Sequence, residues 1–241
     1  MLHNYLKNRK LFFATIALGA TVNVGIAQSV AYVDHSGYKI PALTTAVNET
    51  KNDAPSVKSV SIGNQVWMMT NLDVTVYRNG DPIPHVQDPK EWATLTTGAW
   101  CYYENKEANG KVYGKLYNWY AVNDRRGLAP DGWHIPSDTE WNSLIENLGG
   151  EKVAGKKMKA LTAQTNSNTD FKNAEFLGLM GGTRNDYKGN FFGLNTSGIW
   201  WSSTAVYGAY AWYRGVYYNN NEVNRNYLNK TIGLSVRCVK D

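Results

Sequence analysis

The chain has 241 residues, of which 43% are hydrophobic and only 19% charged, with nine Trp and sixteen Tyr. Such a composition excludes a largely disordered chain and suits one domain with or without a tail. The formal charge of +5 comes from the beginning of the chain: without Lys7, Arg9 and Lys10, 22 basic residues face 20 acidic ones. No Lys/Arg block follows, so a nucleic-acid partner is not expected.

In chain order, Lys7-Asn-Arg-Lys10, the apolar run from Leu11 to Ala20, and the small residues Gly25 and Ala27 ahead of Gln28 read as a secretory signal over residues 1–27. A membrane anchor would need about 20 apolar residues, more than this run has. No Cys follows it to carry a lipid, and no later segment could span a bilayer as a helix. The expected destination is therefore outside the inner membrane: extracellular, cell surface or periplasm. Residues 28–56, rich in Ser, Thr, Ala, Asn and Pro, have no period and read as a linker or N-terminal extension.

Strand patterning starts near Val57. Residues 57–62 and 65–69 flank Gly63-Asn64, a two-residue hairpin signal. Asn79-Gly80 is a turn, residues 100–103 read as a strand, and Asn109-Gly110 as another turn. Two helices are predicted. The first, over 115–122, rests on Leu116, Trp119 and Tyr120 at helical spacing. The second starts with a capping box, Ser137 and Glu140, continues through Trp141, Leu144, Ile145 and Leu148 on one face, and stops at Gly149-Gly150. From about residue 170, short strands and turns follow: 185–187 and 191–193 around Lys188-Gly189-Asn190, then 199–203, 209–218 and 233–239. The fold class expected is α+β.

Six stretches occur in one order: Val66-Trp-Met68, Asn71-Leu72, Tyr113-Gly-Lys-Leu-Tyr-Asn-Trp-Tyr120, Gly132-Trp-His-Ile-Pro-Ser-Asp-Thr-Glu-Trp141, Trp200-Trp-Ser-Ser203 and Gly233-Leu-Ser-Val-Arg-Cys-Val239. Together they resemble the Fibrobacter succinogenes major paralogous domain family, common in surface proteins of Bacteroidetes and Fibrobacteres, over residues 57–241. The stretch around Trp133 is also similar to a motif of the formylglycine-generating sulfatase-modifying enzymes. The resemblance implies a C-type lectin-like fold: two helices, a small twisted antiparallel sheet and a loop-rich C-terminal half. It assigns no biochemistry.

Enzyme chemistry finds little to stand on. His3, His35, His85 and His134 are not spaced for a metal, and His134 reads as structural. No nucleophile elbow or phosphate-cradling loop is present. Glu104, Glu107, Asp186 and Glu222 give no reason to pair as glycosidase carboxylates. The reactive cysteine pair of the sulfatase-modifying relatives and the calcium-binding motifs of C-type lectins are missing from this sequence. No cofactor and no catalytic metal are expected. A structural calcium held by oxygen-rich loops bearing Asp81, Asp124, Asp131 and Asp186 stays open. The two cysteines, Cys101 and Cys238, are expected to pair in an oxidising compartment; the alternative is two buried free thiols.

The unusual segment runs from Tyr207 to Asn229. Its candidate contact residues are Tyr207, Tyr210, Trp212, Tyr213, Arg214, Tyr217, Asn219, Asn221, Asn224, Asn226 and Tyr227. Tyr and Asn dominate antibody binding loops because Tyr supplies rigid area at low entropic cost and Asn adaptable hydrogen bonds. Tyr and Asn codons also differ only at the first base, so this pattern is what adenine-directed mutagenesis by a diversity-generating retroelement would leave. The reading is an exported adhesin or surface binding module that recognises a protein or glycan on another cell, a host or a phage. A structural subunit of a fibre or cell envelope is the alternative, and an enzyme acting on polysaccharide or sulfatase-like substrates is supported least.

Overall fold

The computed structural model describes residues 57–159 and 176–241. The expected signal (1–27) and linker (28–56) lie outside these residues. Ser59–Ile62 (β1) and Gln65–Met68 (β2) form the anticipated hairpin, with Ile62 opposite Gln65 and Gly63 at φ 60°, a conformation only glycine adopts without strain. Pro89–Ala93 (α1) is a short helix capped by the Asp88 carboxylate, which accepts from the Lys90 and Glu91 N–H groups. Trp100–Cys101 (β3) leads into a single 3-10 turn, Tyr103–Asn105, and then Glu107–Tyr113 (α2). Here the sequence expectation fails. Asn109-Gly110 lies inside α2, where Gly110 packs against the Tyr102 ring, which a Cβ would meet at 2.2 Å.

The helix predicted over 115–122 also divides. Leu116–Tyr117 (β4) pairs with β3, and only Trp119–Val122 (α3) is helical. Asn118 makes the break: its side-chain oxygen accepts from both Ala99 N and Ala121 N, while its amide donates to Thr97 O. After Trp133–His134 (β5), Asp138–Asn147 (α4) has the full capping box, with Ser137 and Glu140 each closing on the other's backbone N–H. Glu151–Met158 (α5) follows. Five α-helices are thus present among the described residues, against two expected.

The second half is built of Gly181–Arg184 (β6), Phe191–Leu194 (β7), Ser197–Ala205 (β8), Tyr210–Tyr217 (β9), Val223–Asn229 (β10) and Val239–Lys240 (β11). The architecture is α+β, with small antiparallel sheets ordered β1-β2-β11-β5, β10-β9-β8, β3-β4 and β6-β7. The single strand expected over 233–239 is instead a staple between sheets. Gly233 bridges Arg184, Leu234 bridges Tyr117, Ser235 bridges Trp200, and Val239 joins β2 and β5. Each residue pairs with a different element, so no continuous ladder forms.

Trp67, Trp92, Trp141, Trp200 and Trp201 are fully buried and set the core. One apolar cluster joins Trp67, Trp141, Leu144, Phe176, Trp200 and Val216 under α4 and α5; another joins Trp100, Tyr117, Trp119, Trp201, Tyr213 and Cys238. Within these clusters the buried indole N–H groups find partners: Trp200 donates to Asn71 Oδ1 and Trp201 to Tyr117 O. Two buried arginines, Arg184 and Arg237, are held by backbone carbonyls, with no carboxylate partner among the described residues. Arg237 donates to Met68 O, Phe176 O, Leu177 O and Asn71 Oδ1.

Candidate functional site

The strands β8, β9 and β10 carry the Tyr/Asn segment. Successive side chains on β9 point to opposite faces, and both faces are covered for most of its length. Ala211 and Tyr213 enter the cluster with Trp201, while Val216 enters the cluster under α4 and α5. Arg214, on the same face as Val216, meets the N-terminus of α4: its Nη1 donates to Asp138 Oδ1 at 2.7 Å and its Nη2 to Asn142 Oδ1 at 2.6 Å. Beyond α4 that face opens: the next side chains along it are Trp212, half-buried beneath Arg225, and Tyr210, which is exposed.

There they build a stripe. Tyr227 on β10 sits opposite Trp212. Its ring lies 5.8 Å from Trp212 and 5.5 Å from Tyr210, and Tyr207 closes the group at 5.6 Å from Tyr210 and 5.9 Å from Tyr227. Interplanar angles of 58° to 81° make these tilted or edge-to-face contacts. The rings nevertheless remain accessible: Tyr207 is 61%, Tyr210 37% and Tyr227 39% exposed. Arg225 holds the inner end, with its guanidinium 3.6 Å from the Trp212 ring centroid and Nη2 donating to Asp138 Oδ2 at 2.9 Å. One carboxylate in the first turn of α4 therefore orders two arginines. Burial pushes the Asp138 carboxyl upward, but hydrogen bonds from Arg225 and Arg214 outweigh it and leave its pKa below the ordinary value.

The structure does not bring all the expected contact residues together. Tyr213 and Arg214 are interior, 7% and 0% exposed, and cannot meet a partner. Tyr217 is half-buried against the Trp201 cluster. Asn219 and Asn221 are exposed, but they belong to the β9–β10 turn, at the other end of β9 from Tyr210, roughly 23 Å away at 3.3 Å per residue. That turn is clamped to α5: Lys159 Nζ donates to Tyr217 O, and Gly155 admits the chain so closely that a Cβ would lie 2.5 Å from Glu222 O. Asn224 and Asn226 are exposed on the face of β10 opposite Arg225 and Tyr227, so they do not rim the stripe. Arg225, absent from the sequence-derived set, belongs to the site. Its partner Asp138 lies 87 residues away, a separation with no local pattern.

Cys101 and Cys238 are free and buried, against the expected disulfide. Alternation explains this. On β3, Trp100 faces the cluster that contains Cys238, so Cys101 faces the other way, towards Trp92, Tyr103 and Leu116. Burial raises both thiols to about 12. The acidic residues considered for calcium do not gather into a ligand set. Asp81 and Asp124 both close on Arg126, and Asp131 pairs with Arg78. No group of three or more His, Cys, Asp or Glu suited to a metal occurs among the described residues. His134 bridges Glu140 and Asp241, at 2.7 Å each, and ties β5 to the start of α4 and to β11's end.

A family model described as the Fibrobacter succinogenes major domain matches residues 60–240. The chain belongs to that family. No curated protein and no solved structure matches it. In this member of the Fibrobacter succinogenes major domain family, the motifs that carry the resemblance are mainly interior: Trp67, Asn71, Tyr117, Trp119, Trp141, Trp200, Trp201 and Arg237 are all buried. They specify the scaffold. Tyr207, Tyr210, Trp212, Arg225 and Tyr227 lie outside those motifs, on the surface that the scaffold displays.

Proposed function

We propose that the chain is an exported recognition module, of C-type lectin-like architecture, that binds a partner protein through the Tyr207–Tyr210–Trp212–Tyr227 stripe. The observation that carries this reading is that these rings pack against one another while Tyr207, Tyr210 and Tyr227 stay open to solvent around a half-buried Trp212. Rigid aromatics beside an ordered arginine are the make-up of an interface hot spot. The sheet and the Asp138–Arg225 pair supply preorganisation, which lowers the entropic cost of binding. Of the two partner classes considered from the sequence, the stripe favours protein over glycan. Its rings are mutually tilted, so they offer knobs and notches rather than the coplanar faces along which a sugar chain stacks.

The test is a binding screen of the full-length chain against surface proteins and a glycan array. It is run beside a Tyr207→Ser/Tyr210→Ser/Tyr227→Ser variant, which leaves the buried Tyr213 and half-buried Tyr217 in place. A protein retained by the parent and lost by the folded variant supports the reading. A partner held equally by both refutes it. Self-association of the parent that disappears in the variant moves the fibre-subunit alternative ahead. Retroelement diversification makes a separate prediction at the locus: strain-to-strain change at adenines of Tyr/Asn codons for exposed positions. Substitutions without adenine bias refute it.

A further inference from the structure

A second surface, separate from the stripe, has the construction of a binding cleft. It has a volume of about 860 Å³ and opens between the Asn79–Asp81 turn, the Thr96–Gly98 loop, Trp119 and Tyr120 of α3, and residues 123–126. That volume lies within the range of small-molecule sites, roughly 300–1,000 Å³. Its walls are tied together from below. Asn118 joins the Thr96–Gly98 loop to α3 through Thr97 O, Ala99 N and Ala121 N. Arg126 joins residues 123–126 to the Asn79–Asp81 turn: it grips Asp124 through Nε at 2.9 Å and Nη2 at 2.8 Å and reaches Asp81 through Nη1 at 3.3 Å.

Under the floor is a buried polar group. Tyr77 is 1% exposed, Arg126 stacks on its ring at 4.0 Å, and burial together with the neighbouring Asp124 carboxylate pushes its hydroxyl up to about 12. The hydroxyl lies directly against Gly98, a residue of the cleft lining, where a Cβ would come within 2.0 Å of it. Only a glycine there makes room for that hydroxyl beneath the cleft wall.

The lining selects the chemistry. Two carboxylates, Asp81 and Asp124, balance two guanidiniums, Arg125 and Arg126, so the cleft has no net charge to draw a free ion. The carboxylates are turned onto Arg126, which leaves no vacancy for a metal cation, and they would repel a phosphate. Exposed Thr96, Thr97 and Asn123 add donors and acceptors side by side, and half-buried Tyr120 adds an aromatic ring. Groups that both donate and accept at close spacing, beside a ring with an apolar face, match a hydroxyl-rich ring molecule.

We propose that this cleft binds a neutral saccharide, with Asn123, Asp81 and Thr97 pairing with its hydroxyls and Tyr120 packing against its C–H face. Lys230, which stacks over Trp119 at 4.7 Å and donates to Gly208 O, forms the boundary with the stripe, so the two surfaces are neighbours that can be tested separately.

The experiment probes the full-length chain on an array of neutral and uronate-containing oligosaccharides, followed by calorimetric titration with the strongest neutral binder. The parent, Tyr120→Ala, Asn123→Ala and Arg125→Ala are compared, with Tyr210→Ser as the stripe control and thermal melts to confirm folding. The expected result is binding of a neutral oligosaccharide, weakened tenfold or more by Tyr120→Ala and by Asn123→Ala and unchanged by Tyr210→Ser. Asn123 is exposed, so its variant stays informative if Tyr120→Ala disturbs α3. Absence of any neutral binder, binding unaffected by both cleft variants, or retention of acidic sugars alone through Arg125 overturns the proposal. Loss through Tyr210→Ser alone also overturns it and assigns the glycan to the stripe.

Discussion

Asp138→Asn removes the one carboxylate that serves both Arg214 and Arg225, and its cost can be worked from their surroundings. The Arg214 side chain is fully buried, and losing its ionic partner leaves a charge in the interior, for which the usual cost is about 3–5 kcal/mol. Arg214 keeps hydrogen bonds to Asn142 Oδ1, Tyr213 O and the Asp138 carbonyl, which places the loss near the lower end. The pair with Arg225 is partly exposed and adds less than about 1 kcal/mol. A net loss of about 3 kcal/mol lowers the melting temperature of a domain this size by roughly 6–12 °C. Differential scanning calorimetry at neutral pH reads it directly. A second variant separates buried charge from lost packing. Arg214→Met on the Asp138→Asn background removes the orphaned charge and should recover part of the loss, whereas Arg225→Ala alone should shift the midpoint by no more than a few degrees. An Asp138→Asn midpoint within 1 °C of the parent, or a double variant less stable than the single, refutes the reasoning. The acid side follows from linkage. Asp138's folded pKa lies below its ordinary 3.8, so its contribution is fully present above that value and disappears as pH falls through the depressed folded pKa. Asp138→Asn should abolish that part of the acid destabilisation.

Arg237→Met should cost about 4 kcal/mol or more, because Met68 O, Phe176 O, Leu177 O and Asn71 Oδ1 lose a donor in the interior together; a urea midpoint unchanged from the parent contradicts this. For His134, burial opposes the charged ring, but Glu140 and Asp241 outweigh it and raise the pKa above 6.5. Its contribution is therefore fully present below about pH 6.5 and is lost as pH rises through the raised folded value. Urea titrations at pH 6 and pH 9 should show this difference in the parent and lose it in His134→Gln. With both thiols free and raised to about 12, iodoacetamide should label neither in the native protein and both in denaturant without reductant. A denatured mass two hydrogens light and unlabelled would restore the disulfide.

Local chemistry was legible in the sequence where neighbours in the chain settle it. Gly63-Asn64 marks its hairpin, and Ser137 and Glu140 mark the start of α4, because turn and cap preferences act within a few residues. The aromatic motifs likewise pointed to a packed α+β domain and to its family, since those side chains form the interior. Long-range packing decided what local pattern left open. Period-two alternation states that β9 has two faces, yet only the position of α4 and α5 determines that Arg214 and Val216 are covered while Trp212 is half-buried and Tyr210 exposed. Helical spacing at 116–120 is real, but Asn118 and the pairing of β4 with β3 divide it. Two cysteines in one chain invite a bond, and the direction of the β3 pleat turns Cys101 away from Cys238. The sequence by itself determined which residues could build a core, a cap or a contact surface. The tertiary structure decided which Tyr and Asn residues meet solvent together, because exposure is set by what packs above a residue, and those neighbours are distant in the chain.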